Sequence, residues 1–216
     1  MKDFGKMQKE LTAYLTNAGF LKTGLIIRAF NEVPRHLFVV KENLDYAYDD
    51  IALSTIKEST ISQPSTVATM LELLQPREGE KILEIGTGSG WEACLLSKCV
   101  TESGSVTTIE IDPEVGRFAM SNIEKIKPTN IKAVIGDGSV GYNDNAPYNK
   151  IIYTAATPEI SRQVMLQLNV GGRIVAPVGT KPLQKMVVME KISDKKIEEK
   201  DYGTFQFIPL KGRLGF

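Results

Sequence analysis

The sequence predicts a doubly wound α/β fold, a mostly parallel sheet with helices on both faces, preceded by a helical extension. Three observations carry that expectation. From residue 64 onward, short β-rich runs alternate with helically spaced ones, the pattern of βαβ units. One run, Lys81-Ile82-Leu83-Glu84-Ile85, breaks into Gly86-Thr87-Gly88-Ser89-Gly90, the strand-to-turn junction where such sheets hold a nucleotide-like ligand. The chain has 216 residues, 42% of them hydrophobic, which suits one domain with a two- or three-layer core.

Residues 5–18 and 23–31 have helical apolar spacing and are separated by Asn17-Ala18-Gly19-Phe20; Pro34 ends the second pattern. Residues 40–60 show little periodicity and include Asp45-Tyr46-Ala47-Tyr48-Asp49-Asp50. A loop of that length is expected to be functional; a lid is one role for it and a solvated loop the other. A helix over 64–75 then precedes strand 81–85, and a helix over 90–99 follows. Strand 105–109 leads to a helix over 113–126 that opens on Pro113, a residue suited to the first helical turn. Strand 131–135 comes next. Strands near 150–153 and 172–176 flank a helix around 158–168, and 185–191 with 203–209 form a closing pair around Asp194-Lys195-Lys196. The expected domain spans 1–216, with a helical and substrate-loop segment over 1–63 and a Rossmann-like core over 64–216.

Composition narrows the partners. Lys plus Arg equals Asp plus Glu, 26 against 26, so no net field favours nucleic acid or a membrane surface. No apolar run approaches the roughly 18 residues of a membrane span, and Met1-Lys2-Asp3-Phe4-Gly5-Lys6 leads into an amphipathic stretch, not a signal-peptide core. Cys94 and Cys99 lie five apart on one expected helix, on different faces, which argues against a disulfide. With no histidine nearby they do not read as a metal site. These features fit a cytoplasmic, metal-free protein with buried thiols.

The glycine turn favours one cofactor over another. A dinucleotide fingerprint would place its third glycine at 91, but that residue is Trp91, whose indole obstructs the helix N-terminus that a pyrophosphate needs. The spacing Gly86, Gly88, Gly90 after the acidic Glu84 suits S-adenosylmethionine, with Glu84 ordering backbone or water around the methionyl ammonium. Glu110 ends the next strand, where it can accept hydrogen bonds from both ribose hydroxyls. Asp137, at the end of the third, can accept from the adenine amino group, and Gly138 would let the ring lie close. Three such features on three successive strands point to a cofactor site.

Beyond the glycine turn, the chain resembles the protein-L-isoaspartate O-methyltransferase family. The resemblance rests on Val33-Pro34-Arg35-His36-Leu37-Phe38, Ala47-Tyr48-Asp49-Asp50, Thr60-Ile61-Ser62-Gln63-Pro64, Gly136-Asp137-Gly138, Thr154-Ala155-Ala156, Gly171-Gly172-Arg173, Pro177-Val178-Gly179 and Phe207-Ile208-Pro209-Leu210. It implies a class I, Rossmann-like methyltransferase; a monomer is expected. Its reaction would be methyl esterification of the α-carboxylate of L-isoaspartyl residues in damaged proteins, releasing S-adenosylhomocysteine. It further implies Ser62 as the active-site residue, with Thr60, Ile61, Glu84, Gly86, Thr87, Gly88, Ser89, Glu110, Ile111, Asp137 and Gly138 at the cofactor. Ser59, Val178 and Gly179 would then face the substrate. The chain departs from the family pattern at Ile56-Lys57-Glu58-Ser59, where a glycine-containing run is usual. It also departs at Ser65 and Val67, where animal members carry histidines.

An isoaspartyl carboxylate is already ionised at neutral pH, its pKa being roughly 3.5–4, so the reaction needs alignment and not a general base. That agrees with His36, the one histidine, being read as structural. Ser62 has a competing reading as a helix N-cap before Pro64; the resemblance favours catalysis. Two other functions remain open on residues alone: the same fold and cofactor with a different carboxylate or modified-peptide acceptor, and a non-catalytic cofactor-binding relative.

Overall fold

The computed structural model describes residues 2–180 and 182–216; Met1 and Lys181, both within the expected domain, lie outside the described residues. Helix α1 spans Phe4–Asn17 and is capped by the Asp3 carboxylate, which accepts from the Lys6 amide. Helix α2 spans Gly24–Glu32, and Pro34 follows with a short 3-10 turn over Arg35–Phe38. The expected long loop over 40–60 is more ordered than its sequence suggests. It holds a 3-10 run over Lys41–Tyr46 and a small antiparallel hairpin, β1 (Leu53–Ser54) with β2 (Thr60–Ile61). Such i→i+3 turns and two-residue strands are too short to impose a 3.6 or 2.0 period.

Helix α3 (Pro64–Leu74) then leads into the main sheet: β3 (Lys81–Ile85), α4 (Trp91–Val100), β4 (Ser105–Glu110), α5 (Pro113–Ile126) and β5 (Ile131–Ile135). Next come β6 (Tyr148–Tyr153), α6 (Arg162–Leu166), β7 (Leu168–Val178), β8 (Gln184–Ser193) and β9 (Lys196–Phe205). The strand order is β5-β4-β3-β6-β7-β8-β9. The first five of these are parallel neighbours, whereas β8 and β9 are added antiparallel. The chain moves outward from β3 to β5, then crosses back to β6 on the other side of β3. That reversal puts the ligand crevice at the carboxyl ends of β3, β4 and β6.

Two expected elements shift. The helix around 158–168 contracts to α6, whose N-terminus is capped by Ser161, and the chain passes straight into β7. The closing strand is 196–205, not 203–209. Nearly all of β9 is exposed on both faces, so its side chains carry no apolar alternation to read. Residues after it instead cross the carboxyl edge of the sheet: Ala156 N–H donates to Ile208 O at 2.8 Å and Leu210 N–H to Ala156 O at 2.7 Å.

Alternation along the strands builds two cores. Ile82, Val106, Ile152 and Val175 face the layer containing α2, α3 and α4, while Leu83, Ile109, Ile151 and Ile174 face Ile160 and Val164 on the other side. Each such fully buried side chain contributes about 1.5–3 kcal/mol of transfer free energy. Cys94 and Cys99 sit in the first of these cores, free and buried, with their thiols pushed up to about 12 by burial. No helix among the described residues is long and apolar enough to cross a membrane.

Candidate functional site

At the carboxyl ends of β3 and β4 lies a cavity of about 640 Å³, within the size range of small-molecule sites. Its floor is the glycine turn. Gly86 and Gly90 have φ of 99° and 86°, in the left-handed region that favours glycine. At Gly90 an added Cβ would come within 2.9 Å of Ile123 and 3.2 Å of the Ala119 carbonyl oxygen, so this glycine also permits α4 and α5 to approach. The Thr154 hydroxyl donates to the Gly86 and Ile85 carbonyls and ties the turn to the end of β6.

Glu110 stands at the end of β4, where its carboxylate accepts from Gly88 N–H at 3.0 Å and from Asp112 N–H at 3.1 Å. Each oxygen retains acceptor capacity, so the carboxylate orders the turn and still presents lone pairs to a pair of hydroxyls. Glu84 is fully buried on β3. One of its oxygens accepts from the Thr108 hydroxyl, which in turn lies 2.7 Å from the Thr87 hydroxyl; its Oε1 has no partner. Burial drives the Glu84 carboxyl well above its ordinary range, with the neighbouring Glu92 and Glu110 charges adding to the shift against the Thr108 hydrogen bond.

Ser62 lies between β2 and α3, half-buried and lining the cavity. Its hydroxyl makes no hydrogen bond to a described residue. The capping alternative is settled by geometry: α3 has Gln63 at its N-cap position, with no side-chain cap bond of its own. The orphan Ser65 N–H is instead satisfied by the Asp50 carboxylate at 2.8 Å, and Asp50 also accepts from Gln63 Nε2 at 3.3 Å. The Ser62 backbone is held by Arg35, which is 1% exposed. Its guanidinium donates to the carbonyls of Ala47 (2.6 Å), Ile51 (3.0 Å) and Ser62 (3.1 Å) and lies over the Trp91 ring. Burial lowers the Arg35 pKa to about 10, against the pull of Asp50, Tyr48 and Asp49.

The tip of the β1–β2 hairpin forms the cavity mouth. Lys57 has φ of 53°, a left-handed conformation that a glycine adopts without strain and that is disfavoured by about 1–2 kcal/mol for other residues. The altered segment 56–59 therefore keeps a glycine-like turn with a lysine in it. The Lys57 ammonium bridges to Asp112 (3.1 Å) and Glu114 (3.2 Å) across the mouth, and Lys211 bridges to Glu58 at 2.9 Å.

Thus the structure brings Ser59, Thr60, Ile61, Ser62, Glu84, Gly86, Thr87, Gly88, Ser89, Glu110, Ile111 and Gly138 to one cavity. Three expected residues stand elsewhere. Asp137 does not line it; its carboxylate accepts from Ser139 N–H and Oγ (2.9 and 2.6 Å) and from Arg213 N–H (2.8 Å), fastening the C-terminal segment. Partial burial opposes its ionisation, but those bonds together hold the carboxyl below its ordinary value. Val178 and Gly179 end β7 beside Thr157, with Gly179 N–H donating to Thr157 O at 2.9 Å, outside the cavity lining. Gly138, which lines the cavity, also has a packing reason to be small. A Cβ there would meet Ile109 at 2.8 Å and Ile85 at 3.0 Å, so sheet packing favours glycine.

Several lining residues were not among the expected site residues: Lys57, Trp91, Glu92, Asp112, Thr154, Ala155 and the strap Ile208-Pro209-Leu210-Lys211. Thr154, Ala155 and Ile208-Pro209-Leu210 had a signal in the family motifs; Lys57, Glu92 and Asp112 had none. Trp91 both lines the cavity and fills the seam to α2, edge-on to Phe30 and donating to Val33 O at 3.4 Å. His36 is structural as expected. It stacks on Phe4 and lies 2.7 Å from the Tyr48 hydroxyl, its pKa lowered by burial.

Comparison with known proteins bears on this geometry. The family described as protein-L-isoaspartate(D-aspartate) O-methyltransferase matches residues 6–215. A Methanopyrus kandleri protein-L-isoaspartate O-methyltransferase is 38% identical over 216 residues, covering 100% of this chain and 96% of the relative. The Methanococcus aeolicus protein of the same name is 40% identical over 211 residues, covering 98% and 97%. A solved protein-L-isoaspartate O-methyltransferase superposes with a TM-score of 0.89 at 32% identity, covering 96% of this chain and 67% of the other. A Plasmodium falciparum structure, described as a beta-aspartate methyltransferase in complex with S-adenosyl-L-homocysteine, gives 0.83 at 20% identity, covering 94% and 98%; it bears on the fold alone.

Proposed function

The chain belongs to the protein-L-isoaspartate(D-aspartate) O-methyltransferase family, and from that premise we propose that Ser62 positions the α-carboxylate of an L-isoaspartyl residue in its cavity for methylation. The enzyme is an S-adenosylmethionine-dependent protein-repair methyltransferase. The cofactor supplies an electrophilic sulfonium methyl, which a carboxylate oxygen takes as the S–C bond breaks and S-adenosylhomocysteine leaves.

The residues present fit that cofactor. A glycine-floored cavity, a strand-end carboxylate with spare lone pairs at Glu110, and unpartnered buried carboxylate oxygen at Glu84 suit a ligand with a ribose diol and a cationic amino-acid end. Gly86, Thr87, Gly88 and Ser89 would hold the methionyl portion, Glu110 the ribose, and Ile111 and Gly138 the adenine side, with Thr60 and Ile61 closing the opposite wall. Asp137 would act at the adenine end by fixing the segment after β5. Ser59 is the nearer substrate contact, and Val178 with Gly179 belong to the outer rim.

For the chemistry, the substrate carboxylate arrives ionised, so no base is required. What remains is alignment, which can supply about 7–11 kcal/mol of barrier reduction at best. The Ser62 hydroxyl can donate to one carboxylate oxygen and leave the other directed at the methyl. The observation that carries the proposal is the placement of Ser62. It lines the same cavity as the glycine turn, and Asp50 performs the capping that would otherwise explain it.

We further propose that the enzyme acts as a cytoplasmic monomer without metal or nucleic acid. Residues 1–63 would supply the substrate wall and 64–216 the cofactor core of one domain. The balance of 26 basic and 26 acidic residues supports the absence of a nucleic-acid partner. The test is transfer of labelled methyl to two synthetic peptides that differ only in an L-isoaspartyl or L-aspartyl linkage. Labelling of the isoaspartyl peptide alone is expected; equal labelling of both, or of neither, would overturn the proposal.

A further inference from the structure

The cavity holds a second buried carboxylate that the reading above does not use. Glu92 lies in the first turn of α4, is 7% exposed, and lines the cavity together with Glu84. Oε1 of Glu84 and Oε1 of Glu92 are each shielded from solvent and each lack a hydrogen-bond partner among the described residues. No hydrogen bond joins the two side chains. Two buried, unpartnered carboxyl oxygens on adjoining elements are unfavourable unless one carboxyl is neutralised or a cation lies against them.

No cation among the described residues fills that role. The two lysines on the cavity wall, Lys57 and Lys211, are at its mouth in ion pairs with Asp112, Glu114 and Glu58. The other groups around the pair are Glu110 on β4, which opposes ionisation of Glu84, the Cys94 thiol on α4, and the uncharged Thr108. The N-terminus of α4 contributes partial positive charge at Glu92, but as a dipole it cannot neutralise two carboxylates. Burial moves both carboxyls toward the protonated form, and the Glu92 charge adds to the shift at Glu84.

We propose that Glu84 and Glu92 form one anionic subsite that receives the α-ammonium of the cofactor's amino-acid end and releases a shared proton to solvent as it does so. The proposal rests on the cofactor reading of the cavity. Before binding, the pair holds one shared proton and carries a single negative charge. After binding, the ammonium replaces that proton, the pair carries two charges, and the proton passes to buffer. Glu92 is then a specificity-determining residue: it selects ligands with a cationic amino-acid end over nucleosides lacking one.

Proton linkage gives a readout that is independent of turnover. Titration calorimetry with S-adenosylhomocysteine at about pH 6.5, where a free α-amino group with pKa about 7.7–8.0 is protonated, is run in buffers of different ionisation enthalpy. The observed heat is expected to vary with buffer, corresponding to release of close to one proton per ligand bound. Glu92→Gln, an isosteric change that removes a buried charge, is expected to bind without that dependence. 5′-Methylthioadenosine, which lacks the ammonium, is expected to bind the wild type without it too. As pH falls below the pair's titration, cofactor affinity should weaken by up to tenfold per pH unit in the wild type and stay flat in Glu92→Gln. Buffer-independent heat in the wild type would overturn the proposal, as would equal release from Glu92→Gln or with methylthioadenosine. Failure of all these ligands to bind would be a different result: it would remove the cofactor reading and the proposal with it.

Discussion

Replacing Arg35 by lysine tests how the molecule positions Ser62. The guanidinium is buried and donates three hydrogen bonds, to Ala47 O, Ile51 O and Ser62 O. A lysine keeps the charge, but its single ammonium on a shorter effective reach can serve one of those carbonyls. Two charge-assisted bonds are lost, each contributing about 1.5–3 kcal/mol, so Arg35→Lys should destabilise the fold by about 3–6 kcal/mol. Against a typical net stability of about 5–15 kcal/mol, the variant should fold with a narrow margin. The Ser62 carbonyl is released, and a displacement near 1 Å at a reacting group lowers turnover by about 10²-fold. The glycine turn has no bond to Arg35, so cofactor affinity should be close to wild type. Urea unfolding gives the first quantity, and steady-state kinetics with an isoaspartyl peptide, alongside cofactor titration, give the others. The reasoning is refuted if stability changes by less than about 1 kcal/mol, or if cofactor binding collapses while kcat is preserved.

Three other outcomes are expected. Ser62→Ala should lower kcat by about 10²–10³-fold, the range for loss of one transition-state hydrogen-bond donor, while leaving stability within about 0.5 kcal/mol; an unchanged kcat would take Ser62 out of the reaction. Gly90→Ala should destabilise by about 2–5 kcal/mol, combining left-handed strain with crowding against Ile123 and the Ala119 carbonyl. Gly171→Ala, with φ of 81° and nothing within 4 Å, should show the strain alone, about 1–2 kcal/mol, so equal urea midpoints would contradict the crowding. Asp137 has its folded pKa depressed, so its contribution is present above the ordinary aspartate value of about 3.9 and is lost as pH falls through the lower folded value. Hydrogen exchange of Arg213 and Leu214 should rise below about pH 4 in the wild type and at neutral pH in Asp137→Asn; protection that ignores both changes would show that Asp137 does not hold this segment.

What the sequence disclosed is what depends on neighbours along the chain. An apolar run ending in Gly86-Thr87-Gly88, and a second ending in Glu110, place a turn and a carboxylate at strand ends whatever the details of packing. The hairpin turn at Lys57 was obscured because a lysine occupies a backbone conformation usually marked by glycine. Glu92 was hidden for another reason. An acidic residue in the first turn of a helix is already accounted for by the helix dipole, and only its burial beside Glu84 shows that more is needed. Asp137 and Val178 lie outside the cavity lining because strand ends alone do not specify which ends open on the crevice. That depends on where the C-terminal strap crosses, set by Ala156 pairing with Ile208 and Leu210, a contact more than fifty residues long in sequence that no local pattern encodes.

The distribution of charge in the cavity matches the reaction. Methyl transfer from a sulfonium to a carboxylate neutralises both, so the transition state carries less charge than the bound reactants. A fixed cation beside the carboxylate would stabilise the ground state more than the transition state and slow the chemical step. The structure keeps its lysines away from that role. Lys57 is neutralised by Asp112 and Glu114, and Lys211 by Glu58, all at the exposed mouth, where solvent and salt screen their fields. The acidic groups are placed the other way: Glu84 and Glu92 are buried, where a charge acts most strongly, at the end suited to a cationic ligand. Ser62 lines the same cavity, a neutral donor able to orient a carboxylate without binding it tightly. Buried carboxylates, a paired mouth and a neutral donor together let the site attract both reactants while opposing neither loss of charge.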